Sequence, residues 1–446
     1  MKMQKFMNTD NNKGTGLNLF QKSAPSKIYL ETTTRCNLNC AMCVKHTAGS
    51  GMTEGDFDIT LFDAIKPVLP EVQSLILSGI GEPLLYPHLE ILIREARAHM
   101  PETGSIAFQS NGMLINRKRA IKLIAAGLDK ICISLDSVNP ETFSLMRNGA
   151  DLDKVKDAFK FLNEASAASN KKITTGVEFV LTRENMHDLP DVIKFAAEHG
   201  ASFVIVTHLI PYSKESIPNS AYDRNTDAAV ELYESTLKKC ALEGIDITQY
   251  FNVKWKIYNS DAEKLIIDAV EKMASEARGK NIFFHLQSIM DRDHEIRNRV
   301  EEIFSQSLII AEQLGIDLSL PAVSPAAAKR CEFIESGSAF ISWNGDVHPC
   351  HFLWHKFQCY VSGWQKYVSP KSFGNLAERD IHKIWNSPAF REFRETVSKY
   401  NYPVCSNCSF APCDYIYSEE FEQDCYINSI PCCDCQWCLG IFQCLR

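Results

Sequence analysis

Between Lys27 and position 212, six short apolar runs, "KIYLETT", "SLILSGI", "SIAFQSN", "KICISLDS", "TTGVEFVLT" and "FVIVTHLI", alternate with longer amphipathic stretches. The short runs are rich in β-branched residues and have strand length. The stretches between them, "ITLFDAIKPVLPEV", "HLEILIREARAHM", "RKRAIKLIAAGL", "DLDKVKDAFKFLNEASAAS" and "HDLPDVIKFAAEHG", repeat apolar residues every three or four positions, as helices do. A helix between two strands returns the chain to the end from which it started, so the strands pair in parallel. Six such units predict an α/β fold, a partial (β/α)6 barrel open on one side, with a flat doubly wound sheet as the competing arrangement.

The remaining chain changes character twice. Residues 213 to 325 carry long, charged, helix-periodic segments with few β-branched runs and read as a helical insertion or bridge. Residues 326 to 446 are crowded with cysteine. The expected divisions are thus a flexible tail at 1–26, a barrel at 27–212, an insertion at 213–325 and a cysteine-rich domain at 326–446. A length of 446 residues exceeds what one core usually organises, which fits several units.

A formal net charge of -8 argues against a chain that works by neutralising nucleic-acid phosphates or anionic lipid, so neither partner is expected. The N-terminal stretch lacks the apolar core and cleavage site of a secretory signal, and no apolar run approaches the length of about 18 residues that marks a membrane span. The expected location is the cytoplasm. There thiols stay reduced, so the 17 cysteines point to metal or redox chemistry rather than to a disulfide framework. Their distribution is uneven: Cys36, Cys40, Cys43, Cys132 and Cys240 lie before residue 330, and the other twelve follow it.

Cys36, Cys40 and Cys43 sit in "RCNLNCAMC", just after the first strand, where parallel α/β domains bind their ligands. Their spacing lets all three sulfurs face one centre. Two metal groups remain open on that basis. Zinc would need a fourth ligand, for which His46 is the near candidate. A four-iron four-sulfur cluster would keep one iron free for a substrate or cofactor.

The stretch resembles the C-x-x-x-C-x-x-C signature of radical S-adenosylmethionine enzymes, with Met42 where the family commonly has an aromatic residue. The resemblance implies a 4Fe-4S cluster on Cys36, Cys40 and Cys43, whose open iron chelates S-adenosylmethionine. It also implies reductive cleavage to a 5′-deoxyadenosyl radical that abstracts hydrogen from substrate. Further positions follow in register. "LSGIGEPLLYPHL" is similar to the family's glycine-rich segment, which implies cofactor contacts at Gly79, Gly81 and Glu82, with Glu82 suited to the methionine ammonium; Met42 would offer backbone to adenine. Ser110 and Asn111, Ser134 and Asp136 match positions around methionine and ribose, and Arg147 matches an arginine that pairs with the carboxylate.

The C-terminal part resembles the SPASM extension of the same enzymes, which carries one or two auxiliary iron-sulfur clusters. Its opening at Cys331, Gly345 and Cys350 and its step at Cys405 and Cys408 match the extension; after Cys408 the spacing departs from it. The resemblance implies Cys331, Cys350 and Cys425 on a nearer cluster, and Cys405, Cys408, Cys413 and Cys435 or Cys444 on an outer one, with Cys432 a further metal candidate. Cys359, Cys433 and Cys438 have no assigned task, and Cys132 and Cys240 read as inert buried thiols.

The tail "DCYINSIPCCDCQWCLGIFQC" looks most like that of maturases of tungsten-containing oxidoreductases. The implied partners are therefore a peptide or protein substrate, such as a metalloenzyme, and a flavodoxin- or ferredoxin-type electron donor. A ribosomal-peptide modifying enzyme and a small-molecule or tetrapyrrole decarboxylase are the alternatives within the family. A non-catalytic iron-sulfur or zinc scaffold is the alternative outside it.

Overall fold

The structure, a computed structural model, describes residues 22–47, 50–361, 363–403, 418, 420–433 and 435–445. Six parallel strands form as the sequence pattern requires: β1 (Lys27–Leu30), β2 (Ser74–Ile76), β3 (Ser105–Ser110), β4 (Lys130–Ser134), β5 (Thr174–Leu181) and β6 (Phe203–His208). Helices α1 (Leu89–His99), α2 (Arg117–Ala126), α3 (Leu152–Ser169) and α4 (Leu189–Glu198) connect them. The first crossover is different. Residues expected to make one helix form two 3-10 turns, Ile59–Ala64 and Lys66–Glu71, because Pro67 and Pro70 remove the amide donors that a continuous α-helix needs.

Three further strands join the same sheet: β7 (Asp317–Ser319), β8 (Ser338–Ile341) and β9 (Val347–His348). The order across the nine strands is β9-β8-β1-β2-β3-β4-β5-β6-β7. Strand β8 lies parallel to β1, with Lys27 opposite Ser338 and Leu30 opposite Ile341, and only β9 runs antiparallel to its neighbour. The divisions expected near residues 212 and 325 therefore cut one sheet and one apolar core, which runs from Ala24 to Leu445. The insertion that does own a core is narrower. Ala229, Tyr233, Cys240, Val270, Met273 and Ile289 pack together across α5 (Asp227–Leu242), α6 (Asp261–Gly279) and the short helix Leu286–Met290. Helix α7 (His294–Leu314) instead gives Val300, Ile303 and Phe304 to the main core.

Alternation decides the two faces of the sheet. Leu75, Phe108, Ile131, Val177 and Val204 are fully buried in the core shared with the helices. The opposite face carries Tyr29, Gln109, Cys132, Ser134, Glu178 and Thr207, which pairing register places side by side. The end of the chain crosses that face. Tyr29 Oη donates to the Leu445 carbonyl at 3.2 Å, the Gln443 amide donates to Thr207 Oγ1 at 3.3 Å, and Ser319 Oγ donates to Gln443 Oε1. Residues 22 to 26, expected to be a loose tail, are held: Trp385 Nε1 donates to the Lys22 carbonyl at 2.9 Å and Ala24 is buried. Among the described residues no helix is long and apolar enough to cross a membrane.

Candidate active site

The loop after β1 carries the first three cysteines. Its root is tied down by Phe57 N–H donating to the Thr32 carbonyl at 2.9 Å and Thr34 N–H donating to the Gly55 carbonyl at 3.0 Å. A two-residue antiparallel ladder then sets Cys40 opposite Arg147, and the Cys43 amide closes a turn onto the Cys40 carbonyl at 3.1 Å. All three thiols are half-buried and lie close enough for their charges to interact. Burial, with the neighbouring Cys40 and Cys36, pushes the Cys43 thiol up to about 11. His46, the near candidate for a fourth zinc ligand, is exposed at the end of the next turn. Met42 is half-buried between Cys40 and Cys43.

The segment after β2 presses on this loop. A Cβ on Gly81 would stand 2.3 Å from the Thr33 carbonyl oxygen and 2.6 Å from that of Arg35. Both are backbone atoms that cannot step aside cheaply, so Gly81→Ala is expected to cost about 1–3 kcal/mol by overpacking and to displace the cysteine loop. Thermal melting and iron retained per chain measure the two effects. Gly79 packs against the Glu31 side chain, and Ile80 N–H donates to Glu31 Oε1 at 3.1 Å.

Glu82 is buried and already braced. Its Oε1 accepts from Ser110 Oγ at 2.8 Å and from Leu84 N–H at 3.1 Å, and its Oε2 accepts from Asn111 N–H at 2.7 Å. Burial pushes its carboxyl up against the downward pull of these bonds. The carboxylate expected to face a ligand ammonium thus ties the end of β3 to the glycine segment, with about one of its four lone-pair positions left over. Asn111 Nδ2 reaches Asn37 Oδ1 at 2.9 Å and Cys36 Sγ at 3.9 Å, and Ser134 Oγ accepts from Gln109 Nε2 at 3.4 Å.

Asp136 and Arg147, expected to touch ribose and carboxylate separately, are paired with each other. Arg147 Nε meets Asp136 Oδ2 at 2.5 Å, with the two side chains 10% and 0% exposed. Asp136 Oδ1 also accepts from Val180 N–H at 2.8 Å. A buried guanidinium needs a buried counter-charge, which explains the pairing. Burial alone would lower the Arg147 pKa; the charges of Asp136 and Cys40 outweigh it and raise the pKa instead.

Two carboxylates here went unread in the sequence. Glu178 is buried on the face it shares with Ser134, and burial pushes it up to about 7, with Arg147 pulling down and Asp136 pushing up. The signal was a lone acid inside the apolar run "GVEFV". Glu31, fully buried at the end of β1, pairs with His355 Nε2 at 3.0 Å and so links the glycine segment to the C-terminal part. Nothing local marks that pair, because its partners lie far apart in the chain.

A second group of cysteines encloses its own space. Cys331, Cys350, Cys432, Cys435 and Cys438 line one narrow cavity walled by Phe333 and other apolar side chains. Burial pushes the Cys350 thiol up to about 12. Tyr402 Oη lies 3.4 Å from Cys438 Sγ. Cys425, expected beside Cys331 and Cys350, is instead exposed, and Cys432, Cys435 and the previously unassigned Cys438 take that place. Ile430 is buried in the main core, and Cys432 and Cys433, which follow it after Pro431, are buried with it. Cys444 stands next to this group, 3.4 Å from Trp437 Nε1 and 3.7 Å from His351 Nδ1. Cys405, Cys408 and Cys413 lie outside the described residues. Cys132 and Cys240 are buried in a strand and a helix.

Two matches to known proteins bear on this geometry. Residues 30–196 match the Radical SAM superfamily, and residues 331–409 match SPASM, an iron-sulfur cluster-binding domain. The chain is a radical SAM enzyme with a SPASM domain. It is 27% identical over 427 residues to the tungsten-containing aldehyde ferredoxin oxidoreductase cofactor-modifying protein of Pyrococcus furiosus, covering 94% of this chain and 96% of that one. It is 23% identical to the AdoMet-dependent heme synthase of Methanosarcina barkeri, covering 90% of this chain and 96% of that one. Among solved structures, Streptococcus suis SuiB bound to S-adenosylmethionine aligns with a TM-score of 0.48 and 13% identity, covering 83% of this chain and 68% of that one.

Radical SAM domains bind a 4Fe-4S cluster and S-adenosylmethionine, and SPASM domains bind further iron-sulfur clusters. The donor sets fit such groups: three thiols share one loop beneath the glycine segment, and five thiols surround a single cavity. Among the described residues no three His, Cys, Asp or Glu side chains are grouped to hold a single metal ion. Metal binding would remove the protons that burial holds on these thiols.

Proposed function

We propose that this radical SAM enzyme acts on a metalloenzyme or its cofactor, with Cys36, Cys40 and Cys43 holding the cluster at which S-adenosylmethionine is split. The observation that carries the reading is the convergence of those three thiols with the glycine segment at the carboxyl ends of β1 to β3. Similarity along nearly the whole of a cofactor-modifying protein supports the choice of client. When bound, the cluster and S-adenosylmethionine supply one-electron reductive cleavage followed by hydrogen abstraction.

The chain's own groups bind and orient. Gly79 and Gly81 let backbone approach the cofactor, and the lone pair left on Glu82 accepts from its ammonium. Ser110, Asn111 and Ser134 line the same strand ends. Arg147, anchored by Asp136, holds a positive charge beside Cys40. Cys331, Cys350, Cys432 and Cys435 hold an auxiliary cluster, with Cys438 a fifth sulfur in its wall. Cys405, Cys408 and Cys413 are the proposed ligands of a second one. A flavodoxin- or ferredoxin-type protein delivers the electron, and the chain works in the cytoplasm.

The test is made on anaerobically purified protein given dithionite and S-adenosylmethionine. We expect 5′-deoxyadenosine, iron and sulfide for at least two clusters, and a mass change in the cofactor of a metalloenzyme co-expressed with the enzyme but not with a Cys36→Ala variant. Zinc in place of iron, or an unchanged client cofactor, would refute the reading.

A further inference from the structure

Four buried carboxylates stand at or near the carboxyl ends of β1, β2, β4 and β5, and three of them are engaged. Glu31 holds His355 Nε2 and accepts from the amides of Ile80 and Trp343. Glu82 accepts three hydrogen bonds. Asp136 gives Oδ2 to Arg147 and Oδ1 to the Val180 amide, and none of its surface is exposed. The fourth, Glu178, differs. Among the described residues no donor reaches either of its oxygens, and neither oxygen is sealed in the way that Thr32 Oγ1 is. The residue is 8% exposed.

The sheet decides where that opening points. Glu178 lies opposite Ser134 of β4 and Ile205 of β6. Two residues earlier on the same face Gly176 has no side chain, and the Phe203 ring fills its place: a Cβ there would stand 2.3 Å from the ring. That ring closes the space below Glu178. The carboxylate is left facing the carboxyl ends of the strands, where Ser134, Arg147 and the cysteine loop lie. The charges that act on it come from Arg147 and Asp136; Cys132 is its titratable neighbour on β4, and β6 presents Ile205 and Phe203.

Such an acid weakens the fold. Burial pushes Glu178 from an ordinary 4.5 up to about 7, with Arg147 pulling down and Asp136 pushing up. Between those values the folded chain keeps a proton that the unfolded chain has lost, so stability falls as pH rises through the interval and stays reduced above it. A buried group that destabilises the chain and satisfies no donor in it is expected where a ligand makes contact.

We propose that Glu178 accepts hydrogen bonds from the ribose hydroxyls of bound S-adenosylmethionine, the role that Asp136 cannot fill with both its oxygens engaged. Two open oxygens on one carboxylate suit two neighbouring O–H donors, as an acidic side chain suits the ribose of a dinucleotide. The inference rests on the reading that S-adenosylmethionine lies along these strand ends beside Ser134, and it adds a binding contact to that site.

The test is calorimetric titration of the cluster-loaded enzyme with S-adenosylmethionine, without reductant. In Glu178→Gln we expect about tenfold weaker binding. With 2′-deoxy-S-adenosylmethionine the wild type should lose several-fold in affinity and the variant little more, because the acceptor for that hydroxyl is already gone. Without ligand, the variant should melt higher than wild type at about pH 8, by a margin that narrows toward about pH 6; replacing an acid that only braced the fold would lower the melting temperature. Equal affinity of wild type and variant for S-adenosylmethionine, or the same loss with the deoxy ligand in both, would overturn the proposal. A wild type that binds no S-adenosylmethionine would refute the underlying reading, and the proposal with it.

Discussion

Replacing Cys40 with alanine is expected to reduce 5′-deoxyadenosine formation to background, a larger loss than the roughly 10–100-fold caused by removing a group behind a metal ligand. Cys40 is fixed on both sides: it lies opposite Arg147 in the short ladder, and its carbonyl accepts the Cys43 amide. No other described thiol in that loop replaces it. The fold should survive, because Arg147 keeps its bond to Asp136. Iron should fall only by the share of the one cluster, since the cavity lined by Cys331, Cys350 and Cys432 is built from other segments. Retained cleavage in this variant would move the reactive centre away from the loop.

Asp136→Ala should give the largest stability loss. It strips the counter-charge from a buried guanidinium and the acceptor from Val180 N–H, and breaking a buried pair in this way costs about 3–5 kcal/mol. The free Arg147 would also turn toward Cys40, whose charge it already feels. Chemical denaturation of the metal-free chain measures the loss. Asp136→Asn keeps an acceptor for Val180 and should cost less. A loss below about 1 kcal/mol, the size typical of an exposed pair, would contradict the buried brace described here.

Much of the barrel was legible because its signals are local. Each of the six strands is a contiguous apolar run, and each α-helix between them shows its own period. The first crossover was misread because Pro67 and Pro70 act on backbone donors while leaving the apolar period intact. At the site, the cysteine loop was readable from spacing, and the glycine segment from its resemblance to the radical SAM family. The pairing of Asp136 with Arg147 was not, since both residues fit roles at a ligand equally well until burial demanded that they neutralise each other. Glu178 could have been found from its place in "GVEFV", whereas Glu31 and His355 could not.

The sequence by itself determined that six strands separated by helical segments pair in parallel and that three thiols share one loop, because both depend on neighbours a few residues apart; the order of the strands across the sheet came from the structure. Only the tertiary structure decided that Cys432, Cys435 and Cys438, rather than Cys425, face Cys331 and Cys350, and that the chain's end crosses the polar side of the sheet. Those contacts join segments far apart in the chain. They are selected by which apolar residues reach the common core, and that competition leaves no periodic trace in the order of the amino acids.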